Sequence, residues 1–139
     1  MIIYGETILP LKVVNSNGRF YDIEAAEKII LEYKRQIERL DHYFGVCGFS
    51  NDYIEYGDPD VINIRNIGFI VQDLRIIKGK KIVGDILILE TPAGKQLKDS
   101  IRTVVFRTSV WGFVENGKVR VERLISINSI SKYLDSFQI

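Results

Sequence analysis

Apolar and polar positions recur along this chain with two different periods. From Asp22 onward, Ala26, Ile30, Tyr33, Ile37, Leu40 and Phe44 follow one another at spacings of four and three, which puts them on one face of a helix. Glu27, Lys28, Lys34, Arg35 and Glu38 fall on the opposite, solvent-facing side. Asp22 is a suitable cap, because its carboxylate can accept a hydrogen bond from the free amides of the first turn.

Elsewhere the pattern shortens to that of strands. Ile2 to Val14 predicts one or two short strands, with Pro10 at an edge or a bulge because it cannot donate to a ladder. Asn15 to Gly18 supplies a turn. Gly45 to Asp60 mixes glycine, proline and tyrosine without a period and predicts a loop. Val61 to Ile77 is strand material broken near Gly68, with Phe69, Val71 and Leu74 as inward residues. Lys78 to Lys81 turns the chain, and Ile82 to Leu89 returns as an antiparallel partner. Thr91-Pro92 starts a short helix over Ala93 to about Ile101, with Leu97 and Ile101 inward. Thr103 to Val114 is a strand, Glu115-Asn116-Gly117 a tight turn, and Lys118 to Ile127 the returning strand. Mostly antiparallel strands with one long and one short helix predict an α+β class with a barrel-like sheet, in one domain over residues 1–139.

Composition narrows the function without choosing it. A formal charge of +1 over 139 residues gives no global pull towards nucleic acid or an anionic membrane. Lys78, Lys80 and Lys81 around Gly79 fit a polar turn. The apolar runs are too short to span a bilayer, and no signal peptide precedes Thr7. One cysteine, Cys47, excludes an internal disulfide and a cysteine-rich metal cluster. Glu55, Asp58 and Asp60 lack the spacing of a calcium loop. No metal or other cofactor is expected.

The order of these elements resembles a known family. Val13-Val14-Asn15-Ser16-Asn17-Gly18-Arg19-Phe20-Tyr21, followed by the long helix, is similar to the opening of the tailed-phage prohead maturation proteases. Ile67 to Leu74, Gly79 and Val83-Gly84 resemble their central hairpin, and Leu89 to Leu97 the approach to their short helix. Val104 to Gly112 matches the place of their nucleophile strand, and Asn128 to Ser131 that of their closing acidic motif. The resemblance implies an assemblin-like fold and a serine protease that cuts scaffold and capsid proteins inside the immature head.

At three positions the chain departs from the chemistry that the resemblance implies. The family's histidine position falls in Ile54-Glu55-Tyr56-Gly57-Asp58-Pro59, where Asp58 stands. A carboxylate with a reference pKa of about 4 is a poor proton acceptor for a serine at neutral pH. Counting back from Gly112, Arg107 and Thr108 occupy the places of the paired serines, and Asn128 replaces the acidic residue. These departures lead to the expectation of a non-catalytic, capsid-associated or virion-assembly protein on an inherited protease frame. Its partners would be phage capsid or other virion proteins and further copies of itself, with no specific nucleic acid and no membrane. It would assemble in the host cytoplasm and reside in the virion. Tyr53, Tyr56, Trp111, Phe113, Tyr133 and Phe137 are the candidate contacts, because aromatic rings bury much area for little lost entropy. The alternative is an active maturation protease with Ser109 as nucleophile and the sole histidine, His42, as base.

Overall fold

A computed structural model of the chain describes residues 1–40, 43–47 and 67–137, with side chains described for 1–38 and 67–137. The elements run β1 (Ile2–Pro10), α1 (Ile23–Leu40), β2 (Tyr43–Cys47), β3 (Ile67–Ile77), β4 (Lys81–Ile88), α2 (Pro92–Asp99), β5 (Val104–Glu115) and β6 (Lys118–Ser131). Short 3₁₀ turns follow α2 at Ile101–Thr103 and β6 at Lys132–Leu134. The six described strands form one sheet in the order β1-β4-β3-β2-β6-β5. Every pairing is antiparallel except β2 with β6, which run parallel at Val46↔Asn128 and Cys47↔Ser129. The class is therefore α+β, as the pattern predicts.

Local chemistry explains the turns. The Asp22 carboxylate accepts from the Ala25 amide at 2.9 Å and caps α1. Thr91 Oγ1 accepts from the Gly94 amide at 3.0 Å, donates to the Ile67 carbonyl at 2.6 Å, and so ties the start of α2 to β3. Asn116 and Gly117 both take positive φ, 54° and 82°, the conformation of a type I′ hairpin turn. Lys78 and Gly79 do the same between β3 and β4, at 52° and 66°.

The core lies between α1 and the sheet. Ala25, Ala26, Ile29 and Tyr33 of the helix are buried, with Ile30 and Ile37 packed beside them. Phe69, Val71 and Leu74 point inward from β3 as expected, and the Phe69 ring meets the Phe106 ring edge-on, with centroids 5.0 Å apart. The buried Tyr33 hydroxyl donates to the Val71 carbonyl at 3.0 Å, and burial pushes its pKa up to about 12.

Several expectations need correction. Phe44 lies in β2, not on the helix face: α1 ends at Leu40, and β2 is fixed by pairing with β3 and β6. Gly45 to Cys47 likewise belong to that strand and not to a loop; the remainder of the 45–60 segment and residues 61–66 lie outside the described residues. Gly68 does not interrupt β3. The irregularity comes between Gln72 and Arg75, where Asp73 has φ 50°. β6 continues to Ser131 because β5 pairs with it along its whole length.

The barrel-like expectation is not met by a closed barrel. Among the described residues no backbone ladder joins the outer strands β1 and β5, so the sheet is open. The two strands nevertheless approach, and Arg107 Nη1 of β5 donates to the Thr7 carbonyl of β1 at 3.0 Å.

Candidate functional site

The β5–β6 register sorts the suspected residues onto two faces. Directly opposed residues of an antiparallel pair share a face. Arg107 opposes Asn128 and Ser109 opposes Ser126, so these four project to one side. Thr108 opposes Ile127 and Phe106 opposes Ser129 on the other side, where Phe106, Ile127 and Ser129 are buried and Thr108 is half-buried and touches both cavities described below. One residue of register thus puts the side chains of Thr108 and Ser109 on opposite faces of the sheet.

Arg107 is a structural clamp. Its Nε and Nη2 donate to the two carboxylate oxygens of Asp135 at 3.1 and 2.9 Å. Its Nη1 donates to the carbonyls of Thr7 and Phe106 at 3.0 and 2.8 Å, and the guanidinium stands 5.7 Å from the Phe137 ring centroid. The pair is largely withdrawn from water, with side chains 15% and 7% exposed. A forked guanidinium on a carboxylate fixes direction as well as charge, so β1, β5 and the C-terminal segment are held in one arrangement. The Glu6 carboxyl lies near this group. Burial pushes its pKa above the ordinary 4.5, and the Arg107 charge offsets part of the rise.

Ser109 and Asn128 belong to a hydrogen-bonded chain. Ser126 Oγ donates to Asn128 Oδ1 at 3.0 Å, and Asn128 Nδ2 donates to Ser109 Oγ at 3.0 Å. Asn128 and Ser126 are buried. A carboxamide is neutral and takes up no proton near pH 7, so this bond orients the serine hydroxyl without activating it. Thr108 Oγ1 is buried without a hydrogen-bond partner among the described residues. Such a group costs about 1–3 kcal/mol, so its position is held by its strand and not by its hydroxyl.

Two cavities meet along this face. One, of about 350 Å³, has Arg107, Ser109 and Asn128 in its lining together with Arg19, Tyr21 and the C-terminal Asp135 to Phe137. The other, of about 360 Å³, runs along β5 from Thr108 to Val114 and also touches Arg19 and Tyr21. The stretch from Lys12 to Tyr21 therefore lies beside Ser109. It is fixed by Lys12 N to Tyr21 O at 2.7 Å and by Phe20 bridging to the β5–β6 turn.

The aromatic candidates divide by exposure. Trp111, Phe113 and Tyr133 are 51%, 53% and 72% exposed, whereas Phe137 is partly buried against the core and Arg107. His42, Tyr53, Tyr56 and Asp58 lie outside the described residues. Sequence reasoning missed Asp135 and Ser126, which no local pattern marks. No group of histidine, cysteine or acidic side chains suited to a metal ion occurs among the described residues, and no described helix is long and apolar enough to cross a membrane.

A protease of virus capsid assembly has this architecture. The chain superimposes on the bacteriophage T4 capsid assembly protease gp21 with a TM-score of 0.64 at 20% sequence identity, covering 94% of this chain and 90% of that one. At this identity the likeness is one of fold. No protein-family model matches the chain, and no curated protein matches its sequence.

Proposed function

We propose that the protein is a non-catalytic component of phage capsid or virion assembly, built on a prohead-protease-like fold and acting through its surfaces. The observation that carries this reading is the engagement of Arg107. At a position where the family resemblance expects a nucleophilic serine, the side chain instead joins β1, β5 and the C-terminal segment through four hydrogen bonds. The neighbouring Thr108 hydroxyl is buried, and Asn128 offers an amide where the family pattern has an acid. The fold likeness to gp21 supports the capsid setting. Phage capsid and other virion proteins are its partners, and the exposed Trp111, Phe113 and Tyr133 are the contacts.

A second reading has one observation in its favour. Ser109 lies in the lining of both cavities and accepts a directed hydrogen bond from Asn128, so a nucleophile at this position would be reachable by substrate. The test is co-expression with the phage scaffold and major capsid proteins, followed by mass analysis of their termini. Intact termini support the assembly role. Specific cleavage that Ser109→Ala abolishes, with the protein still folded, would sink it and establish the protease.

A further inference from the structure

At the end of the sheet beside the start of α1, the turn between β3 and β4 meets the segment leaving β1. Leu11 N donates to the Lys80 carbonyl at 2.9 Å, and Pro10 stands opposite Lys81. A Cβ placed on Gly79 would lie 4.0 Å from Lys12 Nζ. Backbone pairing thus gathers Lys12, Lys78, Lys80 and Lys81 around one turn, and all four are exposed.

Charge is not balanced there. None of the four forms an ion pair among the described residues. The β3 and β4 carboxylates Asp73 and Asp85 are held by Arg75 at 3.2 and 3.3 Å, and Asp22 is held by Lys118 at 3.4 Å. Four uncompensated ammonium groups in a chain of net charge +1 make a local field that the composition hides. The backbone adds a second sign. Lys12 and Lys78 take φ of 62° and 52°, a region in which asparagine or glycine would sit with less strain. Lysine is present at both, so charge is kept at the expense of conformational ease.

Beside the lysines, Val13 and Val14 are 44% and 65% exposed. We propose that this end of the sheet docks an acidic segment of a partner protein, with carboxylates on the lysines and apolar side chains on Val13 and Val14. A protein segment fits better than nucleic acid, because the exposed neighbours are aliphatic and offer bases no ring to stack on. None of these lysines or valines lines the two cavities beside Ser109, and the proposal does not depend on the assembly reading.

The probe is a fluorescein-labelled peptide of repeating Glu-Glu-Val, titrated with the full chain by anisotropy. Binding should weaken markedly from about 50 mM to about 300 mM salt, as the Debye length contracts. Lys78→Glu with Lys80→Glu should lose about tenfold in affinity or more, whereas Lys34→Glu with Lys95→Glu, an equal charge change elsewhere, should lose about twofold or less. Lys12→Gln with Lys81→Gln gives an independent pair should the first variant fold poorly. Val13→Ser with Val14→Ser should weaken the peptide several-fold and leave the binding of a single-stranded oligonucleotide unchanged. Equal losses in patch and control variants would overturn the proposal, leaving net charge alone. Tighter binding of the oligonucleotide than of the peptide would overturn it in favour of a nucleic-acid surface.

Discussion

Arg107 and Asp135 stand 28 residues apart in sequence and meet through two parallel hydrogen bonds of 3.1 and 2.9 Å. The pair lies where the chain's last turn returns to the sheet, and the Ser136 carbonyl accepts from the Ser16 amide at 2.8 Å beside it. Sequence position alone would class Arg107 as a lost nucleophile. Its contacts make it a joint between three segments.

Asp135→Asn should therefore lower stability by about 3 kcal/mol, the cost of leaving a buried charge without its partner. Urea unfolding checks this as a fall in the midpoint at an unchanged slope. Combined with Arg107→Met in a double-mutant cycle, the two changes should couple by about 1 kcal/mol or more; simple additivity would mean that the pair does not form in solution. The Ser16 amide should exchange faster in Asp135→Asn than in the parent.

Glu6 predicts a pH dependence of opposite sense to the usual carboxylate. Burial raises its folded pKa above 4.5, so the unfolded chain gives up this proton first. The stability it contributes is full below about 4.5 and is lost as pH rises through the folded value. Glu6→Gln should consequently stabilise the protein at pH 7 and cease to do so below about 4.5. Melting temperatures of the two proteins across this range decide it; parallel curves would refute the burial of the charge.

Asp22 has the ordinary sign. Burial opposes its charge, but the Ala25 amide and Lys118 outweigh that opposition and hold its pKa below 3.8. Its stabilisation is present above the unfolded value and disappears as pH falls through the folded one. Asp22→Ala should cost about 1 kcal/mol at pH 7 through the lost helix cap, with a smaller difference at pH 3.

Two glycines separate steric need from conformational need. A Cβ at Gly112 would strike the Arg120 carbonyl across the hairpin, whereas one at Gly18 would meet open space. Gly112→Ala should destabilise by roughly 3 kcal/mol, because backbone must move. Gly18→Ala should cost about 1–2 kcal/mol, from its φ of +74° alone. Denaturant midpoints of the two variants should rank in that order.

Much of the fold was legible because it is written locally. The Asp22 cap, the Thr91-Pro92 start and the Asn116-Gly117 turn each act within a few residues of chain, and each forms as the sequence predicts. β2 was not legible. Phe44 continues the helical spacing by coincidence, and Tyr43–Cys47 becomes a strand only through partners in β3 and β6. The candidate site shows the same divide. Pattern placed Arg107, Thr108 and Ser109 on one strand and ended its partner at Ile127, one residue short of Asn128. The Ser126 bond to Asn128 depends on register, and Asp135 on a long-range return of the chain; neither leaves a mark in the sequence.

The Arg107 bridge to Thr7 also bears on how the protein behaves when crowded. β1 and β5 are the two ends of an open sheet, and unpaired strand backbone invites another chain to add on. Here the Thr7 carbonyl is already occupied by a guanidinium from the opposite end. A molecule that loses this contact exposes a template for intermolecular pairing before it unfolds. At high concentration its failure would be aggregation, with the helices and most of the sheet still intact.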